Sequence, residues 1–192
     1  MKFEYSNRKA FYIITKLDMK LPRAKNISVQ KYMVGPSLFG KIKAKIKLSA
    51  NESALGPSPR AVKAYTNNSK SFKRYPDSNG TLLRNILANK FKIDPKRIIL
   101  GAGSDQIIEF VCKAFLKKND EVVISQYSFI VYRIYSKING AKIKLAKEDN
   151  LTSSIKNILS CVTKKTKIVF LANPNNPTGT YIKKYDLITL RK

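Results

Sequence analysis

The chain has 192 residues, 43% of them apolar, and its 38 lysines and arginines outnumber 12 acidic residues, for a formal charge of +26. This length and apolar content suffice for one well-buried core and argue against disorder. The absence of histidine excludes histidine metal ligands and catalysis of the Ser-His or Cys-His kind. The positive charge has two explanations, an anionic partner such as nucleic acid or a lysine-rich solvated surface. The spread of lysines along the whole chain favours the second.

Residues 1–46 are interpreted as an N-terminal extension and arm. Residues 10–14 are apolar, but charged residues follow at once, so this stretch is too short for a signal peptide or a membrane span. We therefore expect a cytoplasmic protein. Met19 is an alternative start, and the sequence leaves that choice open. Lysine alternates with apolar residues over 41–47, which indicates a strand with one wet face.

Residues 47–192 are predicted to form the first part of one α/β domain, because helical and strand patterns alternate along them. Strands are predicted at 97–100, 121–124, 141–145 and 168–171. This alternation predicts a mostly parallel sheet with right-handed crossovers. Helices are predicted to begin at Pro59 with Ser58 as cap, after Asp105, near Phe129, near residue 155 and near Lys183.

A further helix is predicted after residue 79, with Asn79 or Ser78 as its cap. Its apolar face would be formed by Leu83, Ile86, Leu87 and Phe91. The two cysteines, Cys112 and Cys161, lie far apart among apolar residues at helical spacing, and we interpret them as reduced core thiols.

The most informative stretch is 166–181, TKIVFLANPNNPTGTY. Its unbroken apolar run predicts a strand covered on both faces. The loop that follows contains three asparagines, two prolines and Gly179. Asn176 then lies at the carboxyl end of a buried strand, where open α/β sheets bind their ligands. The simpler alternative is an Asx/Pro turn that only ends the strand.

A second candidate is Gly101-Ala-Gly-Ser-Asp105, between a predicted strand and a predicted helix. Such a glycine-rich turn exposes backbone N–H groups at the positive end of a helix dipole, which suits a phosphate. The start of a dinucleotide-binding fingerprint is the rival interpretation, but position 106 is Gln and the third glycine is absent.

Three other stretches have a local explanation as loops or packing. They are 47–59 (KLSANESALGPSP), 74–77 (RYPD) and 125–132 (SQYSFIVY). The first ends in a helix start, the second precedes a helix, and the aromatic residues of the third would ordinarily belong to a core.

Taken together, these motifs resemble the fold-type I pyridoxal-phosphate aminotransferases. Residues 173–179 resemble the family's Asn-Pro-Thr-Gly loop, and 51–59 resemble the Asn-Glu-x-x-x-Gly-Pro-Ser-Pro arm of the histidinol-phosphate branch. Ser53 and Ala54 depart from the more frequent Asn and Pro of that arm. The resemblance covers about residues 47–192. It implies the three-layer sandwich of that family's large domain, with a mostly parallel sheet that is incomplete in this chain.

The resemblance also implies roles for individual residues. Ser104 and Asp105 occupy the positions that contact the cofactor phosphate, and Phe129 matches the aromatic residue that stacks on the pyridine ring. Asn176 matches the asparagine that hydrogen-bonds the phenolic oxygen. Tyr75 matches a tyrosine that reaches the neighbouring subunit's cofactor phosphate in a homodimer. Asn51 and Glu52 would line the substrate pocket.

The activity implied is amino transfer between histidinol phosphate and 2-oxoglutarate in histidine biosynthesis, with pyridoxal 5'-phosphate as cofactor. Family members are roughly twice as long, and their cofactor-binding lysine falls beyond residue 192. The resemblance therefore assigns no catalytic residue here and predicts a fragment that is inactive alone. No metal and no membrane partner are expected. Two alternatives remain: a non-catalytic remnant that binds phosphorylated ligands, and a basic nucleic-acid-binding protein.

Overall fold

The computed structural model describes residues 27–30, 38–39, 42–43 and 50–191. Most of the extension and arm predicted at 1–46, with Met19, lies outside the described residues. Within it, strands β1 (Leu38–Phe39) and β2 (Ile42–Lys43) pair antiparallel. This agrees with the strand predicted in 41–47, whose remaining residues are outside the described part.

Helices and short strands alternate along 50–191. The helices are α1 (Pro59–Asn68), α2 (Thr81–Phe91), α3 (Gly103–Phe115), α4 (Ile130–Ile138), α5 (Ile155–Cys161) and α6 (Lys184–Arg191). Single 3₁₀ turns cover Ser69–Ser71 and Pro95–Arg97. None of the helices in the described part of the chain is both long and apolar enough to cross a membrane.

The central sheet is parallel, as the alternation of elements predicts. It contains β3 (Glu121–Ser125), β4 (Lys142–Ala146) and β7 (Thr166–Phe170) in the order β4-β3-β7. In the register, Val122 lies opposite Ile143 and Ile124 lies opposite Phe170. A small antiparallel pair, β5 (Glu148–Asp149) and β6 (Thr152–Ser153), follows β4.

The middle strand β3 divides the core into two clusters, because neighbouring side chains of a strand point to opposite faces. Val122 and Ile124 pack with residues of α3 and α4, including Cys112 and Val131. Val123 packs on the opposite face with α5 and with Ile182, which precedes α6. Val122, Val123 and Ile124, the three central residues of β3, are all fully buried. Helices therefore cover both faces of the sheet, and the predicted three-layer α/β arrangement is confirmed.

Strand β7 has apolar contacts on both faces, as predicted for 168–171. Ile168 and Phe170 pack against the α3–α4 cluster, whereas Val169 and Leu171 pack against the α5–α6 cluster. These side chains are only partly buried. Each of these side chains contacts a core cluster on its own face of the strand only, and the rest of its surface is exposed.

The strand predicted at 97–100 is wrong. Arg97 ends a 3₁₀ turn, and residues 98–100 pair with no strand of the described residues. Ile98 does have an extended backbone, with φ −104° and ψ 124°. A β-branched run favours an extended chain, but a strand also needs a hydrogen-bonding neighbour.

The predictions for α2 also need correction. Of its residues only Ala88 is buried, and Leu83, Ile86 and Phe91 are 50–60% exposed. The helix is preceded by Gly80, and its first turn is capped by the Asp77 carboxylate rather than by Asn79 or Ser78. Asp77 accepts hydrogen bonds from the backbone N–H groups of Thr81 at 2.7 Å and Asn79 at 3.0 Å.

At α1, Ser58 occupies the predicted cap position, and Pro59 is the first helical residue, but the Ser58 side chain makes no capping hydrogen bond. Both cysteines are unpaired thiols. Cys112 is fully buried and Cys161 partly buried.

Candidate functional site

Four of the predicted site residues follow from one property of the sheet: parallel strands end at the same edge. β3 ends at Ser125 and its neighbour β7 ends at Phe170, so Phe129 and Asn176 both lie just beyond this carboxyl edge. Helix α3 precedes β3 and ends near the start of that strand, so it runs antiparallel to the sheet. Its first residues, Ser104 and Asp105, therefore lie toward the same edge.

The start of α3 is open in a way that fits a phosphate. Gly103 has φ +81°, and no atom of the described chain other than its two neighbours and the adjacent helix backbone lies within 4 Å of the position that a Cβ would occupy there. The residue before the helix, Ala102, offers no side-chain cap, and its own N–H donates to Gln106 Oε1 at 2.7 Å. Ser104 is exposed. A hydroxyl and backbone N–H groups at the positive end of a 13-residue helix form a suitable donor set for a dianion.

Phe129 contacts Tyr132, which in turn packs on a second aromatic residue, Phe170. It lies immediately before α4 and meets Tyr132 edge-on, with ring centres 5.7 Å apart and planes at 89°. Tyr132 in turn stacks on Phe170, the last residue of β7, at 4.5 Å and 6°. Burial raises the pKa of the Tyr132 phenol. The aromatic residue that would face a cofactor is thus positioned by the strand that leads into the Asn176 loop.

The loop after β7 is fixed by two of its three asparagines. Asn173 Oδ1 accepts from the Ile182 N–H at 2.7 Å, and its Nδ2 donates to the Ile182 carbonyl at 3.2 Å. Asn175 is only 4% exposed, and its Nδ2 donates to Thr178 Oγ1 at 2.9 Å. Asn176 is partly buried, and its side chain makes no hydrogen bond with any described residue. Its amide donors and acceptor are therefore available to a ligand.

Asn175 is the residue that sequence analysis missed. The motif predicted a role for Asn176, whereas it is the side chain of its neighbour, Asn175, that makes hydrogen bonds within the loop and to Tyr127. The available signal was the number of short polar side chains beside two prolines, since a loop with so few free backbone donors needs side-chain amides to close it.

The segment between β3 and Phe129 is held by polar contacts to neighbouring elements. Gln126 N–H donates to the Ala146 carbonyl at 2.9 Å, and Tyr127 N–H donates to Glu148 Oε1 at 3.1 Å. The Arg133 guanidinium donates to the Gln126 carbonyl. These contacts fix the backbone two to three residues before the aromatic ring.

The remaining three predicted residues lie at the surface of the described chain. The Tyr75 side chain is fully exposed, and both Asn51 and Glu52 are exposed. Asn51 has a left-handed backbone, with φ +53°. Their roles stay predictions. Two clefts, of about 480 Å³ beside β6 and α6 and about 450 Å³ beside Asp77, contain none of the seven predicted residues.

Comparison with known proteins gives a consistent picture. A family model described as aminotransferase class I and II matches residues 43–192. The chain is 51% identical over 174 residues to a histidinol-phosphate aminotransferase of Pelagibacter ubique (strain HTCC1062), covering 91% of this chain and 48% of that protein. It is 42% identical over 179 residues to the enzyme of the same name from Rhodospirillum rubrum, covering 93% and 49%. The chain thus spans about half the length of these curated relatives.

Solved structures show the same fold. The Sinorhizobium meliloti histidinol-phosphate aminotransferase, in complex with pyridoxal-5'-phosphate, matches with a TM-score of 0.71 at 22% identity, covering 74% of this chain and 39% of that chain. A putative histidinol-phosphate aminotransferase from Erwinia carotovora atroseptica matches with a TM-score of 0.69 at 30% identity, covering 73% and 41%. These similarities agree with the fold-type I architecture that the motifs predict.

Proposed function

Because the chain belongs to the class I and II aminotransferases, we propose that it corresponds to the amino-terminal half of a pyridoxal-phosphate-dependent histidinol-phosphate aminotransferase. The observation that supports this proposal is the placement of an open helix start without a side-chain cap, an aromatic ring and an asparagine with no side-chain hydrogen bond to a described residue, all toward one edge of a parallel sheet. The names of the curated relatives support the substrate class. The reaction would move an amino group between histidinol phosphate and 2-oxoglutarate.

Each residue at this edge has a defined task in the proposed site. The Ser104 hydroxyl and the first N–H groups of α3, including that of Asp105, would hold the cofactor phosphate. Phe129 would cover one face of the ring, and Asn176 would donate to the oxygen at position 3. When bound, pyridoxal phosphate supplies an electron sink for the bond-breaking steps. This half of the fold therefore binds and orients the cofactor.

The substrate side of the proposal rests on residues 50–80. Asn51 and Glu52 would line the pocket for histidinol phosphate, and Tyr75 would extend to the cofactor phosphate of a partner subunit. The proposed role of Tyr75 requires a homodimer, for which we propose a cytoplasmic location. The family's lysine that bonds the cofactor covalently matches no position of this chain. The 192-residue chain should therefore bind the cofactor without catalysing amino transfer.

Pyridoxamine phosphate is a suitable binding probe, because it carries the ring and the phosphate but cannot react with the many surface lysines. Ser104→Ala should weaken its binding to the 192-residue chain about tenfold, through loss of one hydrogen bond to a charged group. Fluorescence titration measures the dissociation constant. Ser160→Ala is the matched control, because Ser160 is an exposed helical serine whose hydroxyl bonds only to the Asn157 carbonyl.

Two outcomes would contradict the proposal. If the Ser104→Ala and Ser160→Ala variants bind pyridoxamine phosphate with equal affinity, the start of α3 is not the phosphate site. Consumption of 2-oxoglutarate by the chain with pyridoxal phosphate and histidinol phosphate would contradict the assignment of the catalytic lysine elsewhere.

A further inference from the structure

We propose that Asn175 is a positioning residue that ties the Asn176 loop to the Phe129 segment, so that the two sides of the site are ordered together. The functional meaning of this link rests on the proposed function. The link itself is given by contacts between residues 48 positions apart in sequence.

The first part of the argument is how Asn175 closes its own loop. Its backbone N–H donates to the Thr180 carbonyl, and its carbonyl accepts from the Gly179 N–H, both at 2.8 Å. The side-chain Nδ2 donates to Thr178 Oγ1 at 2.9 Å, and the Thr178 and Thr180 hydroxyls are 2.8 Å apart. Asn176 therefore follows a residue whose backbone and side chain are both fixed.

The second part is the contact that leaves the loop. Asn175 Nδ2 also reaches the Tyr127 carbonyl, at 3.5 Å. Tyr127 lies two residues before Phe129, and its N–H is already held by Glu148. Because the Asn175 side chain is 4% exposed, water does not compete for this contact as it would at the surface. The buried Nδ2 thus joins the segment that carries the ring to the loop that carries Asn176.

The third part is why the residue must be an amide. Thr178 Oγ1 can act as donor or acceptor, but the Tyr127 carbonyl only accepts. The Thr180 hydroxyl donates to the Leu151 carbonyl at 2.7 Å, so Thr178 Oγ1 donates its hydrogen to Thr180 and accepts from Asn175. An aspartate at 175 could donate to neither Thr178 nor Tyr127. Asn175→Asp therefore keeps the size of the side chain and the two backbone hydrogen bonds of residue 175 within the loop, and it removes the link between the two segments together with the donation to Thr178.

Native-state amide hydrogen exchange of the 192-residue chain tests the link without any ligand. Asn175→Asp should raise exchange about tenfold in two segments at once, at Asn175 and Gly179 in the loop and at Tyr127 and Tyr132 in the other segment. Asn175→Ala should do the same without introducing a charge. Asn157→Asp is the control, because Asn157 Nδ2 donates to the Lys147 carbonyl at 3.0 Å away from this edge. Faster exchange in the loop alone would overturn the link.

A ligand readout separates positioning from mere stability. The unsubstituted chain should bind pyridoxamine phosphate more tightly than its 3-deoxy analogue, because Asn176 addresses the oxygen at position 3. Asn175→Asp should lower this preference severalfold, and combining it with Asn176→Ala should lower it no further than Asn176→Ala alone. An unchanged preference in Asn175→Asp would overturn the positioning role. Failure of the unsubstituted chain to bind either probe would overturn the proposed function, while hydrogen exchange would still decide the link.

Discussion

The three asparagines of the loop after β7 differ in what their side chains satisfy. Asn173 pairs with both backbone groups of Ile182, and Asn175 serves the Thr178 hydroxyl and the Tyr127 carbonyl. Asn175 Oδ1 is buried without a hydrogen bond to a described residue, but Asn176 alone makes no side-chain hydrogen bond at all to a described residue, although it is partly buried. A polar group half withdrawn from water gains most from a ligand that replaces the lost hydrogen bonds. Of the three asparagines, we therefore expect Asn176 to be the one that binds a ligand.

The two thiols should differ sharply in reactivity. Cys112 is fully buried, and burial raises the pKa of its thiol, so both access and the thiolate fraction are low. Cys161 is only partly buried. We expect a disulfide reagent to modify Cys161 at least about 100 times faster than Cys112 in the native chain.

Absorbance of the released thiolate follows both reactions. In Cys161→Ser the fast phase of thiolate release, which comes from Cys161, should vanish. The slow phase, which comes from Cys112, should remain, and Cys112 should react at its full rate only when urea unfolds the chain. A fast phase that survives in Cys161→Ser would show that Cys112 is accessible.

The ring of Tyr132 should contribute more than its apolar surface. Tyr132→Leu keeps most of the buried area but removes the stack on Phe170 and the edge contact with Phe129, at a cost of about 1 kcal/mol. Urea unfolding measures this loss. Tyr135→Leu is the control, because Tyr135 packs against the same cluster without a stacked ring among the described residues. Equal losses at both positions would show that the stack adds nothing beyond burial.

At the scale of elements, α2 depends on its first turn more than on its apolar face. Only Ala88 is buried, so packing stabilises this helix little, and the Asp77 carboxylate holds two N–H groups before and within its first turn. These hydrogen bonds, foremost that from Thr81, lower the pKa of the Asp77 carboxyl below its ordinary value of 3.8. A carboxyl with a depressed pKa stabilises the fold above its ordinary pKa, and this stabilisation disappears as the pH falls through the lowered value.

Asp77→Ala should therefore lower the urea midpoint of unfolding at neutral pH, and the difference from the unsubstituted chain should vanish in strong acid. Unfolding curves over a series of pH values measure this difference. Asp77→Asn retains one acceptor oxygen that does not titrate, so its own deficit should vary with pH in the same direction while remaining smaller at neutral pH. A constant deficit for Asp77→Ala at all pH values would contradict a role for the ionised carboxylate.

The elements that could be predicted are those for which local pattern and global packing agree. β3 is a short apolar run that the sheet buries, β7 is a partly buried one, and β4 alternates lysine with apolar residues; the predicted bounds of all three are correct to within two residues. Residues 98–100 and the face of α2 carry equally clear patterns, but Leu83, Ile86, Phe91 and Ile99 are at least half exposed in the described chain. Amphipathicity shows which face is apolar and does not supply the partner that buries it.

The same limit applies to the site. Ser104, Phe129 and Asn176 could be named because each belongs to a local motif. The contact between Asn175 and Tyr127 joins residues 48 positions apart, and no local pattern contains it. Which of three adjacent polar side chains turns inward depends on the strand register and on the neighbouring segment, which only the fold determines.

For the whole molecule, buried residues are unevenly distributed and the net charge is strongly positive. Helix α1 contributes no buried residue and α2 only Ala88, whereas the core clusters are built from α3 onward. Exposed large apolar side chains on residues 55–100 include Tyr65, Phe72, Leu83, Ile86 and Ile99. A net charge of +26 opposes self-association of this surface at low ionic strength, and salt weakens that protection.

The proposed homodimer yields a prediction that concerns both subunits at once. Tyr75 is fully exposed and packs on nothing in its own described chain, which suits a side chain that acts in a partner's site. In the complete protein, Tyr75→Phe and Asn176→Ala should each lower activity when present in both subunits. A mixed dimer with one lesion in each subunit contains one site that escapes both and one that carries both. Its activity should be about half that of the unsubstituted dimer, because a two-fold interface exchanges the same residues in both directions. Differently tagged subunits, purified as mixed dimers and assayed for 2-oxoglutarate consumption, give this value. A mixed dimer no more active than the average of the two parents would show that Tyr75 acts within its own subunit.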